Sequence, residues 1–129
     1  NFVQNCDYLM CEAYCLYSQK DIFKPYEKFH STALDAGKLA ESLFAKNLIL
    51  YHTEDETLQT RKSTYASEAR TVFNGNIFVP DDFEVIDLKY SHNTCCHHTK
   101  HNSHCIRQCH RNKRPFKAAC FFFYCQTGC

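Results

Sequence analysis

The placement of ten cysteines is the strongest constraint on this 129-residue chain. Three lie near the beginning, seven follow residue 94, and residues 16–94 contain none. The number is even and no Cys-x-x-Cys pair occurs, which favours disulfides over a metal ribbon or a redox site. Because three and seven are both odd, complete pairing requires a bridge that joins the two ends of the chain. The cysteines predicted to form disulfides are Cys6, Cys11, Cys15, Cys95, Cys96, Cys105, Cys109, Cys120, Cys125 and Cys129.

A disulfide-rich chain indicates an oxidising compartment, because cytosolic thiols are kept reduced. The pattern therefore predicts a secreted, extracellular protein. The chain begins at Asn1 rather than Met, and we expect that a signal peptide has been removed. No apolar run approaches the roughly 20 residues of a membrane helix, so the sequence predicts no transmembrane segment.

Charge is divided between the two parts of the chain. Residues 1–87 hold all fourteen acidic residues against eight Lys and Arg, whereas residues 88–129 hold seven Lys and Arg and no acid. Such a basic tail indicates a partner with an acidic surface. We expect a protein receptor or channel, with nucleic acid as the less favoured partner; packing of the tail on the acidic body is the alternative without any partner.

Two regular elements stand out in the first half. Ser31 or Thr32 can cap a helix that runs to about Lys46 with one apolar face, and residues 48–51 read as a buried strand. A shorter helical piece fits residues 21–30. Residues 8–15 suit a short helix capped by Asp7, although a pair of strands fits nearly as well.

The second half of the body reads as antiparallel sheet. Asn74-Gly75 lies between two β-prone runs, which is typical of a hairpin with a type I′ turn, and residues 83–90 read as a further strand. The predicted fold is α+β: N-terminal helices packed on a small antiparallel sheet, with a disulfide-rich C-terminal cap. We expect one domain over residues 1–129, with the α+β body in 1–93 and the Cys- and His-rich basic cap in 94–129.

The spacing of the last six cysteines is similar to that of ShK-type domains of toxins and secreted proteins. That resemblance implies a small helical knot whose basic residues surround an aromatic one, suited to binding a channel-like surface. From the basic tail we predict a non-catalytic toxin, effector or ligand that needs no cofactor. Its predicted contact residues are Arg107, Arg111, Lys113, Arg114, Phe116 and Lys117.

An enzymatic alternative comes from Cys6-Asp7-Tyr8 and from Arg70-x-Val72-Phe73-Asn74, which are similar to small fungal ribonucleases of the T1 type. The resemblance implies one helix on an antiparallel sheet, in a ribonuclease fold that has lost catalysis. It places Arg70 at the phosphate and Glu68 near the position of the base. Tyr51-His52 loosely matches the family's Tyr-Pro-His. Lys89 occupies the position of the family's general-acid histidine, and His92 lies just beyond it.

A second alternative is a metal-binding protein, because six of the eight histidines lie in the tail. On a helix, His97, His101 and His104 would line one face, a spacing that can bind zinc or copper. Oxidised cysteines cannot act as metal ligands, and we predict no specific metal site. The six tail histidines are His92, His97, His98, His101, His104 and His110.

Overall fold

The computed structural model describes residues 3–88 and 120–122. Its centre is a four-stranded sheet formed by β1 (Tyr8–Glu12), β2 (Asn47–Tyr51), β3 (Asn76–Phe78) and β4 (Cys120–Phe122). The strand order is β3-β2-β1-β4, and every neighbouring pair is parallel. Parallel neighbours need crossover connections, and helices supply those from β1 to β2 and from β2 to β3.

Within residues 3–88, three α-helices lie between the strands. The four-residue α1 (Lys20–Phe23) and α2 (Ala33–Ser42) separate β1 from β2, while α3 (Arg61–Arg70) separates β2 from β3. Short 3₁₀ turns at Tyr17–Gln19 and Tyr26–Lys28 flank α1. None of the helices in residues 3–88 has the length and apolar character needed to span a bilayer.

Helix α2 shows how the local sequence sets the fold. The Thr32 hydroxyl accepts the backbone N–H of Asp35 at 3.3 Å, and the Asp35 carboxylate accepts the Thr32 N–H at 3.1 Å. This reciprocal pair satisfies two N–H groups that the first turn leaves open. The small residues Ala36, Gly37 and Ala40 are buried, so α2 lies close to the sheet and to α3. The helix predicted from Ser31 or Thr32 is confirmed, although it ends at Ser42.

The core lies between the sheet and helices α2 and α3. Strands β1 and β2 contribute alternate side chains to it, including Leu9, Leu48 and Leu50, which are fully buried. Alternation follows from the two-residue period of a strand. Tyr65 of α3 and Phe73, which follows α3, fill the space between the helix and the sheet. Residues 3–86 and 120–122 belong to one compact unit; Asp87 and Leu88 belong to a second.

The predicted antiparallel sheet is wrong. Residues 8–12 form a strand rather than a helix, and Arg70 is the last residue of α3 rather than part of a hairpin. No glycine among the described residues has positive φ, so Gly75 does not form a type I′ turn. Residues 83–88 form no strand. The chain reaches β3 from a helix, and that connection makes β3 parallel to β2.

The disulfide prediction is wrong for Cys11 and Cys15, which are free thiols, and no disulfide joins either of them to Cys6. All three side chains are fully buried. Cys11 occupies a core position of the central strand, where a thiol packs as a small apolar group. Cohesion in residues 3–86 therefore comes from the sheet and its apolar core. The other predicted disulfide partners lie outside the described residues, apart from Cys120, of which only the place in β4 is described.

These buried thiols should resist alkylation in the folded protein. Burial is the main cause that raises the pKa of Cys11 to about 12 and of Cys15 to about 11, with nearby carboxylates adding to the effect. Only the thiolate is nucleophilic, so iodoacetamide at pH 8 should label both residues only when the protein unfolds. Peptide mass spectrometry after labelling with and without urea checks this. Equal labelling of Cys11 in both states contradicts it.

The same shifts set the direction of a pH dependence. Because the pKa of each thiol is higher in the folded state than its ordinary value of 9.0, the unfolded chain releases protons first as the pH rises. The contribution of the two protonated thiols to the free energy of unfolding is complete below pH 9 and is lost as the pH approaches 11 to 12. Urea midpoints should therefore fall with pH above about 9.

Candidate functional site

The candidate site lies at the carboxyl ends of the two central strands. Glu12 is the last residue of β1 and pairs in register with Tyr51, the last residue of β2. His52 follows at once with φ 55°, in the left-handed region that His occupies more readily than most residues. The edge at the carboxyl ends of parallel strands is where α/β folds place their ligands.

The third residue of the site comes from the crossover between β1 and α2. After the turn at Tyr26–Lys28, the His30 N–H donates to the Pro25 carbonyl at 2.9 Å. Ser31 then joins the crossover to β1, because its carbonyl accepts the Tyr14 N–H at 2.8 Å and its hydroxyl donates to the Glu12 carbonyl at 2.8 Å. The start of α2 and the end of β1 thus hold His30 between them.

Glu12 is the centre of the site. Its side chain is 3% exposed, whereas those of His30 and His52 are 26% and 48% exposed. One carboxylate oxygen, Oε2, lies 3.1 Å from His30 Nδ1 and 3.4 Å from His52 Nδ1. The other oxygen, Oε1, accepts the Ser31 N–H at 3.2 Å. An ionised carboxylate only accepts, so each ring donates through Nδ1 and keeps Nε2 for other chemistry.

Tyr14 packs against both imidazoles. Its ring stacks on His30 with centroids 4.8 Å apart and meets His52 edge-on at 5.9 Å. The two imidazoles are also perpendicular to each other, with centroids 4.8 Å apart. Three rings in mutual contact restrict the rotamers of both histidines, which is how a site is held in a defined geometry.

Hydrogen bonds behind Tyr14 fix the loop that follows β2. The Glu54 N–H donates to the Tyr14 carbonyl at 2.8 Å, and the Tyr65 hydroxyl of α3 lies 3.3 Å from the same carbonyl. The buried Glu54 carboxylate caps its own turn by accepting the Glu56 N–H and the Thr57 hydroxyl. Glu54 is buried, and its carboxylate has a structural role.

Tyr51 adds a polar atom to the site. Its hydroxyl oxygen is buried and has no hydrogen-bond partner among the described residues. Burial, the neighbouring charge of Glu12 and the nearby Cys11 raise the pKa of this phenol, so it stays protonated at neutral pH.

The donor set fits a divalent metal ion. One ligand atom from each of Glu12, His30 and His52 lies within 4.8 Å of the other two. Two imidazoles and one carboxylate suit zinc and related first-row metals, and catalytic zinc sites use three protein ligands and keep one position open. The contact between Ser31 and Glu12 is the kind of outer interaction that orients such ligands.

Two known proteins are similar to this chain. Over 92 residues the chain is 34% identical to ribonuclease Z of Prochlorococcus marinus, which covers 69% of this chain and 28% of that protein. The fold resembles that of YhfI from Bacillus subtilis, a metallo-β-lactamase fold protein. There the TM-score is 0.51 with 26% identity, over 61% of this chain and 31% of the other. No family model matches the chain. The chain thus spans about a third or less of the length of either protein.

These similarities overturn the predicted function. The interpretation as a non-catalytic toxin, effector or ligand is wrong, because the relatives are a ribonuclease and a metallo-β-lactamase fold protein. The T1-type alternative fails as well, because it required an antiparallel sheet. Secretion and an acidic partner surface stay predictions that the described residues do not test.

Most of the predicted site residues lie outside the described residues. This holds for the contact residues Arg107, Arg111, Lys113, Arg114, Phe116 and Lys117, for the six tail histidines and for Lys89. Within the body, Arg70 is exposed at the end of α3. The Glu68 carboxylate accepts the backbone N–H groups of Tyr17 and Leu34, so it has a structural role. Of the residues aligned with the T1 type, the structure brings Tyr51 and His52 to the site.

Sequence reasoning missed Glu12 and His30. The two histidines outside the tail cluster are the ones that meet, although they are 22 positions apart. The sequence did contain a signal: Glu12 is the last residue of one buried apolar run, and His52 directly follows another. In a parallel sheet those ends share one edge.

Proposed function

We propose that the protein hydrolyses phosphodiester bonds in RNA with a divalent metal ion held by Glu12, His30 and His52. The observation that carries this proposal is the contact of both imidazoles with one buried carboxylate at the carboxyl edge of the sheet. The resemblance to ribonuclease Z supports RNA as the substrate. The chain spans 28% of that relative's length.

A bound divalent metal ion would supply a nucleophilic hydroxide near neutral pH and stabilise negative charge on the phosphate. The chain's own residues do the rest. The Glu12 carboxylate accepts a hydrogen bond from Nδ1 of each ring, which leaves the Nε2 lone pair of each ring available to the metal ion.

The electrostatics of the site suit an anionic substrate only when the buried charge of Glu12 is balanced. Two imidazole N–H groups and the Ser31 N–H already point at this carboxylate. Because these donors already balance the Glu12 carboxylate, a positive charge bound at the histidines would remain available to attract a phosphate.

The test is metal binding and RNA cleavage by the purified full-length protein. We expect cleavage of a single-stranded RNA to need added Zn²⁺ or Mn²⁺ and to stop with EDTA. Isothermal titration should show one fewer ion bound by His52→Asn. The matched control His101→Asn, in the histidine-rich tail, should keep that ion and the cleavage. Cleavage that survives EDTA, or a metal site lost in the tail variant instead, contradicts the proposal.

A further inference from the structure

Beside the candidate site, residues 17–30 expose several aromatic and apolar side chains interleaved with lysines. Tyr17, Ile22, Tyr26 and Phe29 are 42%, 75%, 39% and 64% exposed. Alternating cations and aromatic rings are typical of surfaces that bind single-stranded nucleic acid, where rings stack on bases and cations hold phosphates. The segment ends at His30, so a strand of RNA bound along the segment would lie next to the site.

Its three lysines differ in their partners. Lys20 pairs with Asp21 at 3.4 Å, and Lys24 pairs with Glu27 at 3.3 Å. Lys28 forms no ion pair within residues 3–88. Its Nζ atom lies 5.3 Å from the centroid of Tyr14, the ring that stacks on His30. The lysine without a carboxylate partner is therefore the one that lies one ring away from the imidazoles.

Phe29 is unfavourable in two respects. Its φ is 61°, in the left-handed region where a bulky side chain is strained, and most of its ring faces solvent. The left-handed conformation ends the turn at Tyr26–Lys28, where the Phe29 N–H donates to the Tyr26 carbonyl at 3.3 Å. The exposed ring contributes little to the core, so it is available to a ligand directly before a site residue.

We infer that Lys28 and Phe29 bind the single-stranded RNA that enters this site, Lys28 through a phosphate and Phe29 by stacking on a base. The inference rests on the proposed function and extends it to the strand contacts next to the site. RNA that is read in single-stranded form presents unstacked bases, which a half-exposed phenylalanine can cover.

A matched control lies near the amino ends of the strands, whereas the site lies at their carboxyl ends. Phe44 also has a left-handed φ, 53°, and is 66% exposed. It follows α2 and leads into the amino end of β2, opposite the site. Phe29→Gly and Phe44→Gly therefore relieve the same backbone strain, but only the first removes a ring beside the site.

The experiment is fluorescence anisotropy of a labelled single-stranded RNA with the full-length protein in EDTA, where binding is measured without cleavage. We expect Phe29→Gly to weaken binding at least about fivefold. Lys28→Gln should weaken it and reduce the slope of log affinity against log salt by about 0.7. Phe44→Gly should bind as the wild type does. Both glycine variants should unfold at or above the wild-type temperature.

The outcomes separate this inference from the proposed function. If the wild type binds and cleaves RNA while Phe29→Gly and Lys28→Gln bind equally well, the inference is wrong and the function stands. If both variants weaken binding but no metal supports cleavage, the inference holds and the proposed nuclease function fails. If the wild type does not bind RNA, both fail.

Discussion

Replacing Glu12 by Gln should reduce metal-dependent RNA cleavage at least about 100-fold, while the protein remains folded. The reason lies in the number of donors around the carboxylate. Oε1 accepts the Ser31 N–H, and Oε2 accepts from His30 and His52. A glutamine amide has one acceptor oxygen and one donor nitrogen, so in either orientation its NH₂ group faces an N–H donor.

The controls for this prediction follow from the geometry. Glu12→Asp keeps the charge and both acceptors but shortens the side chain, so it should retain more activity than the glutamine variant. Circular dichroism should show the same secondary structure in both variants. Metal affinity should fall about 10- to 100-fold in Glu12→Gln, as expected when a group that orients or joins the ligands is removed. Unchanged metal affinity and cleavage in Glu12→Gln would show that Glu12 has no role in the site.

Gly75→Ala should destabilise the protein by about 2–3 kcal/mol, because there is no room for a β-carbon. A Cβ built at Gly75 would lie 2.5 Å from the Lys46 carbonyl oxygen and 2.8 Å from Phe73 Cε1. That carbonyl accepts the Asn76 N–H at 3.1 Å, where β3 begins. The added methyl group therefore pushes apart the loop before β2 and the start of β3.

Thermal unfolding checks this prediction, with a decrease in midpoint of roughly 10 °C in Gly75→Ala. The neighbouring Asn74→Ala is the control. Asn74 is exposed, so its replacement should leave the midpoint nearly unchanged. A type I′ hairpin turn would instead need left-handed residues at both positions, and both alanine variants would then be destabilised. Equal losses in the two variants would contradict the close approach at Gly75.

What could be predicted from the sequence was local. Helix α2 carries its own capping residues, Thr32 and Asp35, and β2 is a continuous apolar run, so both were found close to their true positions. The pairing of strands was not predicted. β1 pairs with β2 about forty residues away, and β3 follows a helix whose polar sequence has no strong apolar face. The hydrophobic periodicity of a segment predicts its own secondary structure but not the strand with which it pairs.

The site was missed for the same reason. Glu12, His30 and His52 meet only because two parallel strands end side by side and a crossover returns between them. The disulfide prediction was wrong for a different reason. A count of cysteines does not distinguish a thiol that packs in a core strand, as Cys11 does, from one that forms a bridge.

The central position of β1 has a consequence for biosynthesis. Its two neighbours are β2 and β4, and in the second pair Leu9 lies opposite Cys120. A ribosome that makes the chain from its amino end exposes one edge of β1 until more than a hundred further residues have emerged. During that interval the unpaired edge can join another nascent chain, so slow translation between β3 and β4 should favour aggregation over folding.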